Sequence, residues 1–204
     1  ISRKTAVQNF KKIINIAQIY SNFIRLDMED SNQTDDTLKI FKECYSRYNK
    51  TGVVIQAYLK RSVRDLEKLA SPSFNARICK GIYKENSAIS YHDPEEIRDN
   101  FIRLVKIMIN RDAYVCFATH DLILIEKILS IIKSKNIKND KYEFQVLYGV
   151  PMGDKLKELI KHQHKVRVYV PFGSEWYDYS IRRIKENPNI ASYVIKNLFK
   201  TNSY

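Results

Sequence analysis

The chain has 204 residues, 44% of them hydrophobic and 28% charged, with only five glycines and five prolines. That balance suits one globular domain and excludes a disordered or fibrous chain; no apolar run approaches the roughly 20 residues that span a bilayer, and no signal-peptide core follows Ile1-Ser2-Arg3-Lys4. The formal charge of +12 raises nucleic acid as a partner, but lysines such as Lys127, Lys133, Lys138, Lys155 and Lys165 are spread over helices. No stripe with interleaved aromatics forms, so solvated helix faces are expected and no nucleic-acid partner.

In chain order, a helical pattern with Ala6, Phe10, Ile13, Ile14 and Ala17 on one side comes first, followed by a strand at Phe23–Asp27. Leu38, Phe41 and Tyr45 mark a second helix, and Val53–Ala57 and Ala76–Cys79 two further strands. Asp93-Pro94 reads as a helix cap with proline at the first helical position, opening a helix through Ile97, Phe101, Leu104, Val105 and Met108. A strand at Ala113–Ala118 precedes a helix with Leu122, Ile125, Ile128, Leu129 and Ile132. Tyr142–Leu147 and Val166–Val170 complete six strands.

Strands that read as apolar throughout, alternating with helices, imply a parallel sheet covered by helices. The architecture is then a doubly wound sheet or most of a β/α barrel. Asp27, Gln56, Lys80, His120, Gln145 and Tyr169 all fall at or just past the carboxyl end of a strand, where barrel enzymes assemble their sites. Neither a dinucleotide-binding glycine fingerprint nor a P-loop occurs. A β/α barrel in one domain, residues 1–204, is the expected fold. The three cysteines (Cys44, Cys79, Cys116) are widely spaced and suit an intracellular protein, with Cys79 and Cys116 as small buried hydrophobes. His162 and His164 sit two apart with no further ligand at suitable spacing, so no metal is expected.

Four constellations carry possible chemistry. In Arg25-Leu26-Asp27-Met28-Glu29-Asp30, Asp27 fits either a ligand contact at the barrel mouth or a helix cap, and Asp30 fits a cap. Arg77-Ile78-Cys79-Lys80-Gly81 puts two cations at one mouth, suited to an anionic or electron-accepting ligand, or to pairing with the Asp27 cluster. Thr119-His120-Asp121 ends a strand with a hydroxyl, an imidazole and an acid; a cap or a hydrogen-bonded structural histidine explains it equally. Arg182 and Arg183 lie on a helix where Glu186, four and three residues on, can pair with either, as a carboxylate clamp or a basic surface patch.

The succession RLDMED, GVVIQAYLKRS, RICKGIY, FATHD, YEFQVLYGVPMGD, RVYVPFG and WYDYSIRRIKENPN, from about Phe10 to Ser192, resembles the proline dehydrogenase family. The resemblance is close to the single-function bacterial members and to the proline dehydrogenase domain of bifunctional proline-utilisation enzymes. It implies a distorted eight-stranded β/α barrel, bound FAD, and oxidation of L-proline to Δ1-pyrroline-5-carboxylate, the first step of proline catabolism to glutamate. By that resemblance Asp27 is the strand-end aspartate of the active site. Gln56 faces the pyrimidine side of the flavin, and Arg77 lies beside flavin N5. Lys80, Gly81, Thr119, His120 and Gln145 fall where the family contacts FAD. Tyr169, Arg182 and Arg183 fall on substrate-binding positions, with Tyr83 nearby and Glu186 in support.

The resemblance also implies a cytoplasmic enzyme that passes electrons to a quinone or other acceptor, with at most peripheral membrane contact. Two further β/α units, the second carrying an active-site lysine, would precede this chain in a full family member. Two other readings follow: a catalytically incompetent barrel fragment with a binding or structural role, and a barrel enzyme taking phosphorylated substrates through Lys80 and the arginine pair.

Overall fold

The computed structural model describes residues 3–148, 150, 152–170, 173–174, 177 and 181. Helix α1 (Arg3–Ile19) leads into strand β1 (Ile24–Leu26), and α2 (Ser31–Tyr45) into β2 (Thr51–Gln56). The alternation continues with α3 (Ser62–Leu69), β3 (Asn75–Cys79), α4 (Pro94–Asn110), β4 (Tyr114–Ala118), α5 (Leu122–Ser134), β5 (Tyr142–Leu147), α6 (Lys155–Lys161) and β6 (Val166–Tyr169). Asp30, Asp93 and Asp121 start α2, α4 and α5, each accepting two backbone N–H bonds that the helix leaves unpaired. Asp30 is therefore the cap that the sequence suggests, and Asp27 is not.

All six strands are parallel and follow one another in the order β1-β2-β3-β4-β5-β6. A doubly wound sheet reverses strand order partway and covers both faces with helices. Here order never reverses, and one face takes the helical layer. Leu26, Val53, Ile55, Ile78, Phe117 and Phe144 point into it and are almost completely buried. Helix α2 packs on β2, while α4 packs on β3 and β4 and against both α3 and α5. Phe117, Tyr142 and Phe144 form the densest aromatic part, with Phe117 ring centroids 5.7 and 5.2 Å from the other two.

The strands are thus not apolar throughout, as the sequence suggested, but two-faced. Register places Arg77 between Val54 and Cys116, Cys116 beside Glu143, and Gln145 beside Arg167. These residues share the face away from the helices. The sheet is curled around that face. Neighbouring strands lie about 4.8 Å apart, yet the Arg25 guanidinium on β1 donates to Asn75 Oδ1 on β3 at 2.7 Å and reaches Cys116 Sγ on β4 at 3.3 Å. Strands so far apart meet only across a concave surface. The molecule is an arc of a parallel β/α barrel, with polar side chains inside and the apolar core outside.

Arg25, Cys79 and Cys116 show what this interior does to ionisation. Burial lowers the Arg25 pKa, and it pushes both thiols up to about 12, so they are protonated at neutral pH. Cys116 is fully buried, but Cys79 is only partly so. No described helix is long and apolar enough to cross a membrane.

Two substitutions test this packing. Phe117→Ala should cost about 3–5 kcal/mol in chemical denaturation, because the ring is wholly buried among aromatics. Asp121 is informative in another way. Burial alone would raise its carboxyl, but hydrogen bonds from Lys80 and Arg98 and the Lys80 charge overcome this and hold it at about 2, below an ordinary 3.8. The resulting stabilisation is fully present above pH 3.8 and is lost as pH falls towards 2. Asp121→Asn keeps a competent cap but removes the charge. It should be less stable than the parent at pH 6, and the gap should narrow at pH 2.5 in parallel denaturation curves.

Candidate functional site

The carboxyl ends of the strands gather most of the residues singled out in the sequence, and Arg77 is where they meet. It lies on the inner face of β3, and its Nε–H donates to Gln145 Oε1 on β5 at 2.8 Å. Its Nη1 lies 3.4 Å from Asp27 Oδ1, just past β1. Its guanidinium carbon stands 5.7 Å from the ring centroid of Tyr169, at the end of β6. Three side chains, from β5, β6 and the turn after β1, thus converge on one guanidinium. The pairing of Arg77 with Asp27 is present, and it does not isolate the pair: Asp27 is 63% exposed at its side chain and Tyr169 is 44% exposed, so both face an open mouth.

Gln56 ends β2 almost completely buried. Its amide nitrogen donates to the Glu29 carbonyl at 2.7 Å, which directs its oxygen away as an acceptor. Tyr83 donates its hydroxyl to Glu29 Oε2 at 2.5 Å. Burial and then the Glu29 carboxylate push the Tyr83 pKa up to about 12, so the phenol stays neutral.

Lys80 is not a lone cation at the mouth. Its Nζ donates to Asp121 Oδ2 at 2.5 Å, and Arg98 Nε donates to the same oxygen at 2.6 Å. Gly81 has φ +98°, and a Cβ there would fall 2.0 Å from a ring carbon of Tyr58. The close approach that the glycine permits is therefore to Tyr58. Thr119 is buried, its hydroxyl accepting the Asp121 N–H at 3.1 Å. His120 Nε2 accepts the Leu147 N–H at 2.9 Å. Burial lowers the His120 pKa, so the ring is neutral and carries its proton on Nδ1. This is the hydrogen-bonded histidine that the sequence allowed, with one N–H still able to donate.

Glu143 is the group that sequence reasoning missed. It lies on the inner face of β5 with 1% exposure. It accepts from Arg167 Nε at 2.6 Å and Nη2 at 3.1 Å, from Tyr114 at 3.1 Å and from Gln145 Nε2 at 2.6 Å, with Lys165 Nζ 3.3 Å away. Burial would raise its carboxyl, but the hydrogen bonds of Arg167 and Gln145 and the charges of Arg167 and Lys165 hold it at about 2. The available signal was the two-residue period of Tyr142-Glu143-Phe144-Gln145-Val146, which puts Glu143 and Gln145 on one face. Arg182, Arg183 and Glu186 lie outside the described residues. Among the described residues no cluster of three or more His, Cys, Asp or Glu is arranged to hold a metal ion.

The donor set suits a planar, electron-accepting heterocycle. Arg77 offers fixed N–H donors, Gln56 offers an acceptor at one side, and Tyr169 supplies an aromatic face. A flavin ring needs a donor near N5 and an acceptor for its pyrimidine N–H, so these residues fit one.

Comparison with known proteins bears on the family. The family model described as proline dehydrogenase matches residues 1–196. "Proline dehydrogenase 1" of Bacillus subtilis (strain 168) is 35% identical over 200 residues, covering 98% of this chain and 66% of the relative. "Proline dehydrogenase" of Deinococcus radiodurans is 37% identical, covering 94% of this chain and 62% of the relative. This chain therefore spans a little under two thirds of these curated relatives' length. Among solved structures, proline utilization A from Bdellovibrio bacteriovorus, inactivated by N-propargylglycine, superimposes with a TM-score of 0.82 at 24% identity. The match covers 91% of this chain and 22% of that one. A Bradyrhizobium japonicum proline utilization A variant matches with a TM-score of 0.74 at 20% identity, over 92% of this chain and 22% of that one. The family match over residues 1–196 and the curated relatives place this chain in the proline dehydrogenase family.

Proposed function

We propose that this chain, as one domain over residues 1–204, carries the core of an FAD-dependent site that oxidises L-proline to Δ1-pyrroline-5-carboxylate. The observation that carries this reading is the convergence of Asp27, Gln145 and Tyr169 on Arg77 at the carboxyl end of the strands. Bound FAD supplies a hydride acceptor, and this chain's residues do the rest. Arg77 and Gln56 hold the ring's polar edges, and Gln145 supports Arg77 by its 2.8 Å hydrogen bond. Lys80, Thr119 and His120 line the same end of the sheet, where His120 Nδ1–H and the Lys80 ammonium can meet cofactor oxygens. Gly81 admits Tyr58 beneath that loop.

On the substrate side, Arg182 and Arg183 grip the proline carboxylate by charge-assisted hydrogen bonds, which are strong and directional. Glu186, four and three residues on, is spaced to pair with either. Tyr169, partly exposed above Arg77, limits the size of the substrate ring, while Tyr83 and Asp27 border the mouth. Holding the carbon beside the ring nitrogen against the flavin converts a bimolecular hydride transfer into a positioned one. The fixed positive charge of Arg77 favours the electron-rich reduced flavin. Reoxidation would fall to a quinone or similar acceptor.

Purified chain incubated with FAD should be yellow and should bleach on anaerobic addition of proline; a folded chain that takes up no flavin contradicts the reading. Arg182→Met and Arg183→Met should each raise the Michaelis constant for proline roughly 10- to 100-fold, the worth of one hydrogen bond to a charged group. An unchanged constant in both would remove the carboxylate assignment.

A further inference from the structure

Gln145 has two nearly isosteric ends, one accepting and one donating, and a buried glutamine on its own can sit either way round. Here it lies between Glu143 and Arg77. The Glu143 carboxylate is ionised and buried, so it can only accept hydrogen bonds. Gln145 must therefore turn its amide nitrogen to Glu143, at 2.6 Å, and its oxygen to the Arg77 Nε–H, at 2.8 Å. The flipped amide would set acceptor against acceptor at one end and donor against donor at the other.

We propose that Glu143 is a positioning residue: by fixing the direction of the Gln145 amide it locks the plane of the Arg77 guanidinium at the ligand-facing mouth. The guanidinium is rigid and planar, so a bond at Nε leaves little freedom for the remaining N–H groups. One of these meets Asp27 at 3.4 Å, and the Tyr169 ring backs the group. Arg167 Nε shares Glu143 Oε1 with the Gln145 amide, and Tyr114, Lys165 and Arg167 Nη2 hold its other oxygen, Oε2. The chain of influence runs Arg167–Glu143–Gln145–Arg77 along the inner face. A carboxylate serving only as counter-ion to Arg167 and Lys165 would need no contact with Gln145.

This role rests on the flavin reading, and its test separates the two. The full chain is loaded with FAD, and the midpoint potential of the bound flavin is measured by equilibration with a reference dye. In Glu143→Gln the new carboxamide can donate as well as accept, so the Gln145 orientation is no longer enforced. The preference for reduced over oxidised flavin should fall about tenfold, a shift of about 30 mV to more negative potential for a two-electron couple. Gln145→Met, which cuts the link but leaves Glu143 paired with Arg167, should shift it equally. Lys165→Met, which touches Glu143 and not Gln145, should leave the potential at the parent value. Parent-like potentials in both Glu143→Gln and Gln145→Met overturn the relay while leaving the flavin reading intact. If Glu143→Gln does not fold, Gln145→Met decides alone, and no shift there overturns the relay. A parent chain that is folded but binds no FAD overturns both.

Discussion

Arg77 depends on hydrogen bonds that only a curled sheet can supply. Its Nε partner comes from β5, its carboxylate partner from beyond β1, and its aromatic neighbour from β6. In a flat sheet these groups would stand several strand spacings apart. Among the described residues the helices pack on one face and strand order never reverses, and the sheet bends so that its other face becomes a hollow. That face must then be satisfied by its own side chains. Glu143, Arg167, Gln145, Arg77 and Asp27 do so as one connected network, which reaches the open end of the hollow.

Such a network works because each buried polar group is answered. Glu143 would be costly if left alone at 1% exposure, yet four side chains donate to it or stand beside it as cations. Its charge then acts at a distance, deciding which way a neutral amide points. The second ionic centre is Asp121, which starts α5 and ties to it Lys80, just past β3, and Arg98 on α4. One acid serves as helix cap and as anchor for a strand-end lysine, so the fold and the mouth share parts.

The strand–helix alternation, the parallel sheet and the strand-end residues were legible in the sequence, because long helices such as α4 and α5 repeat their apolar period over several turns. Helices α3 and α6, of eight and seven residues, are too short to show that period clearly. The inner face was hidden for a different reason. Val54, Cys116 and Ala118 point inward yet count as apolar, so β2 and β4 read as continuous runs rather than as alternating ones. Residue types at the mouth could be read locally; their partners could not. Lys80 meets Asp121 across 41 residues, Arg77 meets Gln145 across 68, and Gly81 accommodates a tyrosine from another loop. Only the three-dimensional path of the chain sets those pairings.

The account stands on a flat redox ring lying against Arg77. A crystal structure of the chain grown with FAD tests it most directly. The account predicts isoalloxazine density beside the Arg77 guanidinium, with Gln56 at its pyrimidine side and Arg182 and Arg183 opening onto the same cavity. Density for the ring elsewhere, or arginines 182 and 183 facing a separate surface, would contradict it.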